Sequence, residues 1–237
     1  MAPMGCGYGS EFHLLRYMGR YRNEFSRLVA RAIQVEVLCW LDFQHGGKYE
    51  LPIGSSKLSL PDQELKGLEF LDAPNFQSVL KDWEAFWPTT GNQQNWDAVG
   101  RVRVKCQPQW LLVEAKANTN EMISSCGATP GSPSMIQIEA AFRDTQNYFT
   151  ITPGGDWTRD YYQLANRLAV LYFLRAHNIP ARLLLIYFLG DKNPSGTCPV
   201  NESDWRVEIN LQDRHIGLNA TKKRDLGIHE LFIEVAP

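Results

Sequence analysis

Three charged residues beside one apolar segment are the strongest candidates for chemistry in this sequence. Glu114 and Lys116 follow the apolar run 110–113, and Asp97 precedes a second segment rich in valine. If the run is a β-strand, Glu114 and Lys116 point to one face and Ala115 to the other, because side chains alternate along a strand. A hairpin between the two segments would bring Asp97 alongside. Two carboxylates at that separation repel each other unless a cation lies between them.

The chemistry expected of such a group is metal-assisted hydrolysis. Hard oxygen ligands suit Mg²⁺ or Mn²⁺, which keep coordinated water in proteins. We therefore expect Asp97, Glu114 and the backbone carbonyl of Ala115 to hold the metal. Lys116 would orient the attacking water or help to deprotonate it, and would offset charge in the transition state. The alternative is a surface ion pair between Glu114 and Lys116, with Asp97 capping a turn.

Two predicted strands position these residues. Alternating valines predict a strand over 98–105, and the more apolar segment 109–115 predicts a second one. The intervening residues 106–108 include a proline, which indicates the turn of an antiparallel hairpin. The polar stretch 118–133 is predicted to form a loop beside the site.

Helices are predicted before and after the hairpin in the sequence. One amphipathic helix is predicted over 11–33, and its polar faces carry five arginines against two glutamates, a local excess of three positive charges. That basic face either contacts phosphate groups or is simply solvated. Further helices are predicted over 76–86, 134–149 and 161–177.

The rest of the chain indicates an α/β protein. Residues 182–189 are continuously apolar and predict a buried strand, 205–211 alternate like a half-buried strand, and 231–235 predict another. The numerous tryptophans either stack on nucleobases or belong to the core, and the core is the more common place for them.

Composition sets the outer limits. A length of 237 residues predicts one domain, 1–237. The net charge of −2 offers no overall attraction to nucleic acid, so any binding would need a local basic surface or metal ions. The five cysteines are scattered, which argues against a zinc site or a disulfide scaffold. Without a signal-like or membrane-spanning segment, we expect a cytoplasmic protein with no membrane partner.

The residues around the hairpin resemble the PD-(D/E)XK nuclease superfamily. In that family an acidic residue on one strand precedes Glu-x-Lys or Asp-x-Lys on the next, and here Asp97 and Glu114-Ala115-Lys116 stand at those positions. Trp96 occupies the place where some members have proline. The resemblance extends loosely from the first predicted helix to the strand ending near residue 189.

This resemblance implies a restriction-endonuclease-like fold, a central mixed sheet flanked by helices in the order α-β-β-β-α-β. It further implies an endonuclease that hydrolyses nucleic-acid phosphodiester bonds with Mg²⁺ or Mn²⁺, with DNA favoured over RNA, and a homodimer that cuts both strands. Some members add a glutamate from the first helix as a metal ligand and a catalytic glutamine from a later helix. Glu11 and Gln163 are the corresponding residues here, and Arg167 lies one turn beyond Gln163.

Two other functions remain open at this point. The acidic isoelectric point, about 6.2, is also consistent with a nuclease-fold domain that binds or regulates without turnover. A third reading is an α/β enzyme that acts on a different metal-bound anionic substrate.

Overall fold

A computed structural model of the chain describes residues 7–41, 49–53, 56–60, 65–90 and 93–235. The strands are β1 (Glu36–Leu41), β2 (Tyr49–Ile53), β3 (Ser56–Leu60), β4 (Leu65–Lys66), β5 (Asn95–Trp96), β6 (Ala98–Val104), β7 (Gln107–Lys116), β8 (Ala181–Leu189) and β9 (Ile228–Glu234). The helices are α1 (Ser10–Met18), α2 (Arg22–Ile33), α3 (Ala73–Phe86), α4 (Pro133–Phe149), α5 (Tyr162–Ala176), α6 (Glu202–Ile216) and α7 (Ala220–Asp225), and a short 3-10 helix spans Thr119–Met122.

A central sheet of mixed direction organises these elements, in the order β1-β6-β7-β8-β9. The first three strands pair antiparallel, whereas β7, β8 and β9 pair in parallel. The parallel pairs are joined by helical crossovers, α4 with α5 and then α6 with α7. This arrangement confirms the predicted α/β class with a mixed central sheet flanked by helices.

Strand alternation divides the core into two layers. On β8, Leu183, Leu185 and Tyr187 pack with residues of α3, α4, α5 and α6 on one face of the sheet. Leu184, Ile186 and Phe188 point to the opposite face, where α1 and α2 cover them. This two-sided burial explains why the segment is continuously apolar.

The predicted hairpin is present, with a tighter turn than expected. Ala98 pairs with Val113 and Val104 with Gln107, so Gln107 and Pro108 already belong to β7. Lys105 and Cys106 make the turn with positive φ angles of 47° and 66°. This two-residue connection matches the twist of the two strands.

The single helix predicted over 11–33 is wrong, because the segment forms two helices. Gly19 ends α1, and its N–H donates to the carbonyl of Leu15. Arg22 then donates from Nε to the Met18 carbonyl at 2.6 Å. Glycine commonly terminates helices, and the apolar periodicity continues across the break because both helices cover the same face of the sheet.

The strand predicted over 205–211 is also wrong, because these residues lie in α6. Trp205 and Ile209 are buried at helical spacing, whereas Val207 and Leu211 are 61% and 45% exposed. The exposed pair created an alternation that imitated a strand. The helix signal lay upstream, where the Asn201 side chain accepts the Asp204 N–H as an N-cap.

Among the described residues, no helix has both the length and the apolar character needed to cross a membrane.

Candidate functional site

The structure brings Asp97, Glu114 and Lys116 together at one end of the hairpin. Because Ala98 pairs with Val113, Asp97 falls opposite Glu114. One carboxylate oxygen of Asp97 accepts the Ala115 N–H at 2.6 Å, which fixes its position against β7. Glu114 and Lys116 share the sheet face that packs on α5, whereas Ala115 faces the other layer, as alternation predicts.

Lys116 links the strand to α5. Its Nζ donates to Glu114 Oε1 at 2.6 Å and to Gln163 Oε1 at 2.8 Å. The backbone N–H of Gln163 donates to Ser124 Oγ at 2.9 Å, so the first turn of α5 is tied to the loop after the 3-10 helix. The ammonium group therefore lies in a fixed position between a carboxylate and an amide.

Arg167 holds the other oxygen of Glu114 from the next turn of α5. Its Nε donates to Glu114 Oε2 at 2.7 Å, and its side chain is only 4% exposed. The guanidinium also donates to Asn166 Oδ1 and to the Asn95 carbonyl, and its carbon lies 4.7 Å from the centre of the Trp96 ring. A guanidinium with this many partners orients the Glu114 carboxylate rigidly.

The two carboxylates have opposite electrostatic environments. Burial and the neighbouring Glu114 charge raise the pKa of Asp97 to about 8, although Lys116 and the Ala115 N–H favour its ionised form. Burial alone would also raise the pKa of Glu114, but Arg167 and Lys116 outweigh that effect and lower it. Glu114 thus carries the negative charge, while Asp97 retains a proton near neutral pH unless a cation approaches.

A cavity of about 890 Å³ opens onto these side chains. Asp97, Glu114, Lys116 and Gln163 all line it. Glu11, an exposed residue in the first turn of α1, lines the cavity as well. Of the five predicted side chains, four therefore lie close together and the fifth, Glu11, borders the same cavity. The role of each remains a prediction.

The position of Glu11 depends on a buried pair beneath α1. His13 Nε2 lies 2.9 Å from Asp191 Oδ1, and both side chains are less than 5% exposed. The Gly9 N–H also points at the Asp191 carboxylate, at 3.3 Å from each oxygen. This pair attaches the start of α1 to the segment that follows β8.

Sequence reasoning did not single out Glu121, which contributes a further carboxylate to the cavity. Its Oε2 accepts the Ala117 N–H at 2.8 Å and its Oε1 accepts from Asn118 Nδ2 at 2.8 Å. The available signal was Asn118 three residues before Glu121, because asparagine caps the short helix there.

A magnesium ion at this site would have the carboxylates of Asp97 and Glu114 as ligands and would keep much of its water. Within the described part of the chain, no group of three or more His, Cys, Asp and Glu residues is arranged to hold a metal ion. Mg²⁺, however, is commonly bound through one or two carboxylates with waters completing its shell. The raised pKa of Asp97 agrees with such an arrangement, because a divalent cation would offset both the burial and the repulsion from Glu114 that raise it.

Comparison with known proteins finds no matching family model, no similar curated protein and no similar solved structure.

Proposed function

We propose that this protein is a metal-dependent nuclease of the PD-(D/E)XK type that hydrolyses phosphodiester bonds in nucleic acid, with DNA the favoured substrate. The observation that carries the proposal is the convergence of Asp97, Glu114, Lys116 and Gln163 on one cavity. A solvated ion pair at a strand end would not need buried partners from a distant helix, and Glu114 is only 5% exposed.

The chain order of the elements supports the same proposal. When β2 to β5, α3 and α4 are left aside as insertions, the elements α2, β1, β6, β7, α5 and β8 occur in the α-β-β-β-α-β order of the restriction-endonuclease-like fold. The acids lie on β7 and immediately before β6, and the glutamine lies on the crossover helix between parallel strands. Fold order alone does not define an activity, so the argument rests mainly on the site.

Each side chain has a distinct part in this proposal. Asp97, Glu114 and the Ala115 carbonyl would hold Mg²⁺ or Mn²⁺, and Glu11 is a candidate for a further ligand. The bound ion would supply Lewis-acid charge beside the phosphate. Lys116, held by Glu114 and Gln163, would orient the attacking water and offset negative charge that develops on the phosphate oxygens.

Cleavage assays test the proposal directly. Single- and double-stranded DNA and RNA would be incubated with Mg²⁺, Mn²⁺ or a chelator. We expect cleavage that requires metal and falls at least about 100-fold in Asp97→Asn and in Lys116→Met. Asp225→Asn, which removes an exposed carboxylate far along the chain in α7, is the matched control. Cleavage that survives both site substitutions, or that needs no metal, would contradict the proposal.

One observation favours a second candidate, a nuclease-fold module that binds nucleic acid without cutting it. Both oxygens of Glu114 are already engaged, one by Lys116 and the other by Arg167. A metal would have to share this carboxylate with two cations. If the protein is such a module, Glu114→Gln should leave nucleic-acid binding unchanged, and no substrate should be cleaved in a metal-dependent reaction.

A further inference from the structure

The wall of the cavity beside Asn95 has a chemistry different from that of the carboxylate side. Gln93, Gln94 and Asn95 line it in succession, just before β6 begins. Gln94 is 6% exposed, and neither its amide oxygen nor its amide nitrogen has a hydrogen-bond partner among the described residues. Both amide atoms are themselves buried, so a ligand in the cavity would bond to them after the side chain turns toward it. Buried amides are nearly always bonded, which makes such a ligand the expected partner.

The charges of the lining argue against a phosphate at this wall. The lining carboxylates are Glu11, Asp97, Glu114 and Glu121, whereas the lining cations are Lys116 and Arg167. Both cations are paired with Glu114. No described cation in the lining is therefore left over to neutralise a phosphate beside Gln94, and an uncharged group with donors and acceptors fits better.

The size and aromatic content of the cavity fit a nucleobase. Its volume, about 890 Å³, lies within the range of small-molecule sites, about 300–1,000 Å³. Trp87 and Tyr162 line it together with the amides. Aromatic walls with a few placed amides are how proteins hold bases that have left the stack.

We propose, resting on the nuclease function above, that this wall binds the base of an unpaired nucleotide and that the Gln94 amide recognises the edge of that base. A glutamine amide offers one acceptor and two donors, which form paired hydrogen bonds with a base edge. The phosphate of the same nucleotide would then lie toward Asp97 and Glu114. The protein would act on single-stranded or locally unpaired nucleic acid in preference to a continuous duplex.

Binding without cleavage separates this proposal from the nuclease function. Single-stranded DNA and RNA oligonucleotides that differ in one central base would be titrated in Ca²⁺ by fluorescence anisotropy, with a duplex of the same sequence for comparison. For the wild-type chain we expect single strands to bind more tightly than the duplex, with about a 5- to 100-fold preference for one base. Gln94→Leu should reduce that preference to about 2-fold or less, whereas Gln77→Leu, an exposed change on α3, should leave it intact.

The stability of Gln94→Leu provides an independent readout. If the amide serves a ligand, leucine replaces an unsatisfied buried group by an apolar one of similar size, so the free variant should unfold at an unchanged or higher denaturant concentration. If the amide were needed only for the structure, the midpoint would fall. Weaker base selection together with an undiminished midpoint is therefore the expected combination.

The outcomes distinguish the two proposals. Base selection that Gln94→Leu abolishes, without metal-dependent cleavage of any substrate, would retain the base site and reject the nuclease. Metal-dependent cleavage of a duplex that Asp97→Asn abolishes, without base-selective binding of single strands, would retain the nuclease and overturn the base site. Base selection unchanged in Gln94→Leu would also overturn it.

Discussion

The guanidinium of Arg167 has a role that is separate from any reaction. It is buried against Glu114, Asn166 and the Trp96 ring, and it lowers the pKa of the Glu114 carboxyl together with Lys116. A buried charge that loses one partner costs more than the intact pair contributes. Arg167 is thus expected to position Glu114 whether or not a metal binds.

We predict that Arg167→Leu lowers the free energy of unfolding by about 2–4 kcal/mol, because it leaves Glu114 with Lys116 as its single cationic partner. Urea denaturation with and without Glu114→Gln closes a double-mutant cycle. The second substitution should recover about 1–3 kcal/mol of the loss, since it removes the carboxylate charge that Arg167 no longer compensates. Strictly additive effects would show that the two side chains do not interact in solution.

A second prediction at the residue scale concerns acid sensitivity. Burial and the neighbouring Arg182 lower the pKa of His229 to about 4, and Arg182 donates to its Nε2 at 2.7 Å. The unfolded chain takes up this proton near pH 6.5, whereas the folded chain resists it down to about pH 4. The contribution of His229 to stability is therefore complete above pH 6.5 and is lost as the pH falls toward 4.

Replacing the ring should flatten that dependence. We expect His229→Gln to unfold with less acid sensitivity than the wild-type chain between pH 6.5 and 4, by about 1–2 kcal/mol over the window, because solvent screens part of the effect at this half-buried ring. His177→Gln is the control, because this half-buried ring lies 3.1 Å from the exposed carboxylate of Asp82 and away from any arginine partner in the described hydrogen bonds. If the free energy of unfolding falls equally steeply with pH in His229→Gln and in the wild type, the lowered pKa of His229 is rejected.

At the scale of elements, the end of α6 depends on one glycine. Gly217 has a φ of 88°, and a Cβ there would lie 2.3 Å from the Thr152 carbonyl oxygen. The N–H groups of Gly217 and Leu218 both donate to the Asp213 carbonyl, which closes the helix. The close approach packs α6 against the loop that precedes α5, and thereby supports the helix that carries Gln163 and Arg167.

Two alanine substitutions separate strain from contact. Gly131 also has a positive φ, 74°, but a Cβ there meets no atom within 4 Å. Gly131→Ala should cost about 1 kcal/mol for the left-handed conformation alone. Gly217→Ala should cost about 3 kcal/mol or more, because the Thr152 backbone must also move. Thermal and urea unfolding measure the stability of both variants. Similar losses of stability in the two would mean that the loop containing Thr152 moves at little cost.

At the scale of the molecule, basic side chains of the α1 region lie near an acidic cavity. The cavity lining is acidic, whereas the α1 region carries Arg16 and Arg20 on its surface. The Arg16 guanidinium lies 5.6 Å from the centre of the Phe12 ring, which lines the cavity. A nucleic-acid strand that entered the cavity past α1 would therefore pass basic side chains, although the overall charge of the protein is −2.

If nucleic acid follows this path, Arg16→Gln with Arg20→Gln should weaken binding of a single strand at low salt. The slope of log affinity against log salt should fall in magnitude by about 1 to 1.5, since each phosphate contact on a single strand contributes about 0.7. Arg224→Gln, which removes an exposed arginine of α7, is the control. An unchanged slope would exclude α1 from the binding path.

Much of the candidate site followed from local pattern. Alternation along a strand placed Glu114 and Lys116 on one face and Ala115 on the other, and a short turn brought Asp97 opposite Glu114. The same local rules failed where two periodicities overlapped. In α6, exposed Val207 and Leu211 imitated a strand, and in the first helical segment a glycine break was hidden by uninterrupted apolar spacing.

The sequence by itself determined the burial of β8 on both faces, the helices α4 and α5 of the first crossover and the pairing of Asp97 with Glu114, because each depends on residues close in the chain or joined by a tight turn. Only the tertiary structure decided that Gln163 reaches Lys116, that Arg167 reaches Glu114, and that Gln94, whose buried amide has no partner among the described residues, borders the same cavity. These side chains come from segments far apart in sequence. Their meeting depends on how α5 packs across the sheet, and that packing is a property of the whole core.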